Sequence, residues 1–226
     1  MLALTPDLLL CAYASGLFPM ANDRHDPTIH WIDPKRRGIL PLERFHQPRS
    51  LRKMVRRGRF EIRVDSAFAS VIEACAEVCP ERPRTWLNDE LIALYQALHR
   101  RGYAHSVESW ADEQLVGGLY GVSLGAAFFG ESMFTRVRDA SKVALVALVE
   151  RLIAGGYRLL DTQFVTDHLR QFGAIETTRE QYHRALRRAL ATPAVFYSED
   201  GGVVSGTPWA PATGVTGSAQ SITQMS

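Results

Sequence analysis

The stretch YAHSVESWADEQLVGGLYGVSLGAAFFGESMF, Tyr103 to Phe134, decides the fold. It reads as three strands joined by the tight turns ADEQ and SLG, an antiparallel meander. Just upstream, NDELIALYQALHRRG has Asn88 in cap position, acids in its first turn and basic residues in its last, the charge order of a helix. Just downstream, DASKVALVALVERLIAGG is apolar on most faces and predicts a helix that packs under a sheet. YRLLDTQ then predicts a short strand able to pair beside the meander. Further out, FEIRVD reads as a strand and SAFASVIEACAEV as a helix capped by Asp65 or Ser66. VTDHLRQFG and REQYHRALRRAL read as two more helices. Helices, antiparallel strands, a buried helix and a returning strand make an α+β fold, an antiparallel-rich sheet flanked by helices.

The flanks read differently. TPDLLLCAYASG predicts an amphipathic first helix closed by Gly16, and FPMANDRHDPTIHWIDPKRRG, rich in Pro and Asp, an irregular connector. Residues 1–35 are thus expected to form a small, reduced N-terminal domain with its connector, and 36–192 the main body. Residues 193–226 end in the uncharged TGVTGSAQSITQMS and are expected to be a disordered tail, with Phe196, Tyr197 and Trp209 its only large groups able to dock. At 226 residues and 46% hydrophobic the chain can bury a substantial core, yet no run nears the roughly 20 apolar residues of a membrane span. The start lacks the basic region of a signal peptide, and the three cysteines, Cys75 and Cys79 among them, show no metal-binding spacing. The expectation is a cytoplasmic protein, away from membranes, with core thiols and no metal site.

Net charge is only +2, but it is unevenly spread. From Lys35 to Arg63 eleven Lys and Arg face only Glu43 and Glu61, a local +9 that leaves −7 for the remainder. Within this stretch HQPRSLRKMVRRGRF predicts a short helix ended by Gly58. Arg49, Arg52, Lys53, Arg56 and Arg57 fall on one face, with Leu51, Met54 and Val55 on the other. A merely solvated face needs no such one-sign stripe. Five like charges repel, and a polyanion gripped by its phosphates relieves that repulsion. No zinc-finger spacing or recognition-helix pattern points to base reading.

Two polar constellations interrupt apolar strands. In FFGESMF the single carboxylate Glu131 either lies on the solvent face of a half-buried strand or is buried and meets a cation. In LLDTQFVTDH, Asp161 and Gln163 end an apolar strand two residues apart, and so share a face. Asp161 alone could equally be a cap or turn residue. His168 reads as structural, because no G-x-S-x-G elbow accompanies it and no Cys lies in a strand-to-helix turn.

Taken together, GLFPM, HWIDPKRRGILPL, RSLRK, TWLNDELIALYQALHRRGYAHSVESW, LVGGLYGVSLG, FFGESMF, ASKVAL, LLDTQ and DHL..FGA closely resemble the bacterial leucyl/phenylalanyl-tRNA–protein transferases, in collinear order from about Leu8 to Leu190. The resemblance implies a larger domain like the acyl-CoA N-acetyltransferases, with a small N-terminal domain packed on it. It implies transfer of Leu or Phe, and less well Met, from aminoacyl-tRNA to proteins with N-terminal Arg or Lys, making a degradation signal, without metal or organic cofactor. By position it assigns Asp161, Gln163 and Glu131 to catalysis, and Arg49, Lys53, Arg56 and Arg57 to the tRNA. The same positions give the aminoacyl pocket Phe128, Met133, Leu148, Leu160 and Met20, with Trp86 near the terminal adenosine. Two departures stand out. Met20 replaces a Trp frequent in the family, and the segment before the first helix is shortened. An acetyl-CoA-dependent N-acetyltransferase is a rival reading, weakened because RVRDASK enters its helix without the glycines of a pyrophosphate loop. A degenerate homologue that binds tRNA without transfer is the other.

Overall fold

The structure, a computed structural model, describes residues 4–78 and 84–197. The meander is there: β5 (Ala104–Ala111), β6 (Gln114–Leu124) and β7 (Ala127–Thr135) pair antiparallel in sequence order. Asp112 and Glu113, both at positive φ (48° and 58°), form the two-residue turn between β5 and β6, the left-handed pair whose twist suits a hairpin. β4 (Glu61–Val64) adds to β5, and β8 (Leu159–Gln163) lies parallel to β7. Two strands not expected from the sequence complete the sheet. They are β3 (Arg36–Ile39), antiparallel to β8, and β9 (Ile175–Thr178) beyond it. The order among the described residues is β4-β5-β6-β7-β8-β3-β9.

The sheet is covered on both faces. Gly117 of β6 admits α5 (Ala140–Ala154) so closely that a Cβ there would lie 2.5 Å from that of Ala140. Tyr120, three residues on and therefore on the other face, meets Phe68 of α3 (Phe68–Ala76) edge to face. α4 (Asp89–Arg100) stacks beside α3, and α1 (Pro6–Ala14) beside α4. Asn88 caps α4 as expected, accepting from the Leu91 N–H at 2.9 Å. The architecture is α+β.

Three expectations need correction. The segment read as an irregular connector holds a two-stranded hairpin, β1 (Phe18–Ala21) with β2 (Ile29–Ile32), in which Met20 pairs with His30. Neither Asp65 nor Ser66 caps α3. Asp65 instead bonds His105 Nδ1 and the Ser106 N–H, each at 2.7 Å, and the Ser66 hydroxyl donates to the buried Glu108. Glu108 also accepts from the Ala67 N–H, Ser106 Oγ and Trp110 Nε1, donors that satisfy its buried oxygens without an ion pair among the described residues. Residues 193–197 are not tail: the Val195 N–H donates to the Gly155 carbonyl, and Phe196 is buried in a stack on His105 and Phe128. Cys79, Trp209 and the expected disordered tail beyond Tyr197 lie outside the described residues.

Candidate active site

β7 and β8 pair only from Ala127–Leu159 to Phe129–Asp161. β8 then ends at Gln163 while β7 runs on to Thr135, so the two strands part. A cavity of about 790 Å³ fills the gap. Gly130 to Thr135 form one wall, and Leu160, Thr162, Gln163 and Phe164 the other. Leu145 and Leu148 of α5 form a third side, with Phe18, Met20 and Trp86 on a fourth. Register places Glu131 here: Tyr120 pairs with Ser132 and Gly121 with Gly130, so Glu131 is the extra residue of a β-bulge. Such bulges redirect side chains beside functional sites.

Glu131 is half-buried on the cavity wall. Its Oε2 accepts from Tyr95 Oη at 3.1 Å and its Oε1 from Gln163 Nε2 at 3.2 Å. Tyr13 Oη lies 2.6 Å from Tyr95 Oη. Burial pushes the Glu131 carboxyl up to about 8, helped by nearby Asp161 and opposed by the Tyr13 and Tyr95 hydroxyls and by Arg37. Burial likewise raises both tyrosines well above the usual phenol range.

Asp161 is the opposite case. It is wholly buried and ion-paired with Arg37, also wholly buried, through Nη2 at 2.6 Å and Nε at 3.0 Å. Tyr182 Oη donates to Asp161 at 2.7 Å, and so does the backbone N–H of Gln163, at 2.8 Å. The guanidinium reaches the Gly16 carbonyl at 3.0 Å and lies about 4.5 Å from the ring centres of Phe18 and Tyr182. Burial, the largest single effect, lowers the Arg37 pKa, but the charge and hydrogen bonds of Asp161 together with Tyr182 and Glu131 outweigh it and raise the guanidinium. Gln163 sits at φ 55°, a left-handed conformation costly for a non-glycine residue, and the Asp161 carboxylate holds its N–H there. Gly38 makes room from the neighbouring strand, since a Cβ on it would lie 2.6 Å from the Phe164 carbonyl carbon.

Of the residues assigned to the pocket, Met20, Trp86, Met133, Leu148 and Leu160 line the cavity. Phe128 does not. It sits where β7 and β8 are still paired and is buried against Phe196 and Tyr157. Glu131 and Gln163 come together, whereas Asp161 exposes no surface and touches Gln163 through its backbone rather than its carboxamide. His168 lines the cavity too. Its Nε2 is buried without a partner among the described residues, and burial, with Lys142 nearby, lowers its pKa. The sequence reading missed Arg37, Tyr13, Tyr95 and Tyr182. Arg37 was visible only as one of eleven basic residues, because its strand, β3, begins in the segment expected to be an irregular connector.

The basic helix is α2 (Arg49–Arg56), which buries Leu51, half-buries Met54 and Val55 and leaves Arg49, Arg52, Lys53, Arg56 and Arg57 exposed. None of these five pairs with a carboxylate among the described residues. α2 packs on α5, the helix that lends the cavity Leu145 and Leu148.

The cleft sets a carboxylate and a carboxamide, those of Glu131 and Gln163, at the side of an apolar chamber. Comparison with known proteins supplies the class. The sequence model of the leucyl/phenylalanyl-tRNA protein transferase family matches residues 39–187, and that of the family's N-terminal domain matches residues 3–35. Relatives named leucyl/phenylalanyl-tRNA–protein transferase include one from Paramagnetospirillum magneticum, 60% identical over 85% of this chain and 92% of its own. Others come from Phenylobacterium zucineum (62% identical; 85% and 86%) and Caulobacter vibrioides (60% identical; 86% and 90%). The chain belongs to the leucyl/phenylalanyl-tRNA protein transferase family and is an aminoacyltransferase. Among the described residues no helix is long and apolar enough to cross a membrane.

Proposed function

We propose that this protein moves Leu or Phe, and less well Met, from aminoacyl-tRNA to the α-amine of proteins beginning with Arg or Lys, marking them for proteolysis in the cytoplasm. The observation that carries the reading is an apolar chamber of about 790 Å³ walled by Met20, Met133, Leu148 and Leu160, with Glu131 and Gln163 at one side. The ester of an aminoacyl-tRNA is already activated, and an α-amine of pKa about 8 is roughly one-tenth neutral at pH 7. Positioning therefore does most of the catalytic work, and no nucleophilic triad is needed.

Each residue has a role within that reading. The unbranched chains of Leu, Phe and Met enter the chamber, and walls that clash with a branch at Cβ reject Ile and Val, because an apolar pocket gains only about 1–3 kcal/mol per methylene. Trp86 lies where the terminal adenosine would stack. Gln163 donates its amide to Glu131, which leaves its carbonyl oxygen to orient the acceptor amine. Asp161, buried and bonded to the Gln163 backbone, is a positioning residue. Arg49, Lys53, Arg56 and Arg57 grip tRNA phosphates, on a helix packed against a wall of the chamber.

Intact-mass spectrometry of an Arg-starting protein incubated with this enzyme and Leu-tRNA, beside a Met-starting control, tests the reading. One leucine added to the Arg protein alone is expected. No addition, with tRNA binding intact, would overturn it in favour of a binding-only homologue.

A further inference from the structure

We propose that Glu131 is the group that takes the proton from the attacking amine, and that Tyr95, backed by Tyr13, is the positioning residue that keeps Glu131 able to do so. This rests on the function proposed above. Both carboxylate oxygens are held by neutral donors, Tyr95 Oη at 3.1 Å and Gln163 Nε2 at 3.2 Å, and among the described residues neither is ion-paired with a cation. Tyr13 is 2.6 Å from Tyr95, so the phenol of α4 is fixed from α1, outside the main sheet. Among the described residues the charged and titratable groups that act on Glu131 are Tyr13 from α1, Tyr95 from α4, Asp161 from β8 and Arg37 from β3. Tyr120 of β6 and His168 of α6 (Asp167–Arg170) share the cavity wall. Arg37 already carries its proton and is ion-paired with Asp161, and burial lowers the proton affinity of His168 below that of an ordinary imidazole, so Glu131 is the stronger base.

The chemistry balances without any other reactant. The neutral α-amine attacks the ester carbonyl, a C–N bond forms, and the carbonyl oxygen becomes an oxyanion. Glu131 takes a proton from the new ammonium. The oxyanion collapses, the C–O bond to the ribose breaks, and Glu131 returns the proton to the leaving ribose oxygen. The carboxylate is regenerated with one amide formed and one ester broken. A carboxyl near 8 suits the task, because its affinity for a proton matches that of the amine it serves. The carboxamide of Gln163 has no comparable basicity, which leaves it the orienting role.

The test is the pH profile of single-turnover transfer from Leu-tRNA to an Arg-starting peptide. The wild-type reaction needs both a neutral amine and an ionised Glu131, so below pH 7 the logarithm of the rate is expected to rise with a slope of about 2. In Glu131→Gln the rate falls roughly 100-fold and the slope drops to about 1, that of the amine alone. In Tyr95→Phe the carboxylate loses a donor, so the Glu131 limb moves to higher pH, with the plateau regained there and tRNA affinity unchanged. Tyr13→Phe moves the limb the same way and serves should Tyr95→Phe not fold. A limb that stays in place in the folded Tyr variants, or a slope of about 1 in the wild type, overturns the proposal. Absence of transfer by the wild type at every pH would instead overturn the function proposed above.

Discussion

Asp161 and Glu131 lie on adjacent strands of one sheet, yet their surroundings have opposite physical characters. Asp161 is sealed where β7 and β8 are still paired and meets Arg37, Tyr182 and a backbone N–H. Glu131, just beyond the point where those strands part, has only hydroxyl and amide donors and faces a cavity. The difference teaches what a cation does for a buried carboxylate. Beside Arg37 the Asp161 carboxylate is pinned by an ion pair and serves geometry, whereas burial raises Glu131, which has no ion pair among the described residues, to about 8, the working range of an amine. Breaking the locked side has the largest expected effect. Arg37→Ala leaves Asp161 buried and unpaired, so we expect a loss of about 3–5 kcal/mol in urea denaturation, together with loss of transfer.

The two sides are joined through Gln163, and Gly38 is the way to disturb that joint. In Gly38→Ala the new methyl must displace the Phe164 peptide, next to the strained Gln163. We expect a stability loss of about 1–3 kcal/mol. Transfer should fall more steeply than tRNA affinity, as comparison of single-turnover rates with filter-binding isotherms would check. Equal losses in both would mean that the register of β3 against β8 matters only for folding.

The open side makes a pH prediction. Folding raises the Glu131 pKa from the ordinary 4.5 to about 8, so the folded state holds the proton more tightly than the unfolded chain. Its contribution to stability is full below about 4.5 and is lost as pH rises through about 8. Glu131→Gln removes that loss. Its Tm, measured between pH 5 and pH 9, should decline less than that of the wild type, and parallel curves would mean that Glu131 titrates normally.

These contrasts were only partly legible in the sequence. The meander was, because strands joined by the short turns ADEQ and SLG leave a local signal, and so was Asn88 as a cap. β3, β9 and the β1–β2 hairpin were not, since these four-residue strands owe their existence to their partners and lack the alternation Phe60-Glu61-Ile62-Arg63-Val64 that made the equally short β4 legible. Glu131 and Gln163 stood out as polar residues in apolar strands. The partner of Asp161 did not, because a count of basic residues cannot tell Arg37, wholly buried, from Arg57, exposed. Phe128 was misplaced because family position gives the strand and not the point at which β7 leaves β8.

The smallest effect on stability, and a separate effect on binding, is expected on α2, which stands outside the comparison and so calibrates it. Its five cations touch no carboxylate among the described residues, and only Leu51 of the helix is buried. Lys53→Ala and Arg56→Ala should therefore change stability by no more than about 0.5 kcal/mol, and relief of like-charge repulsion can make the change favourable. If each side chain meets a tRNA phosphate, each substitution weakens binding and lowers the slope of log K against log salt by about 1, with kcat at saturating tRNA unchanged. A change in kcat with an unaltered salt slope would place the helix in the chemistry, transmitted through α5 to Leu145 and Leu148, and would merge the two regions that the structure keeps apart.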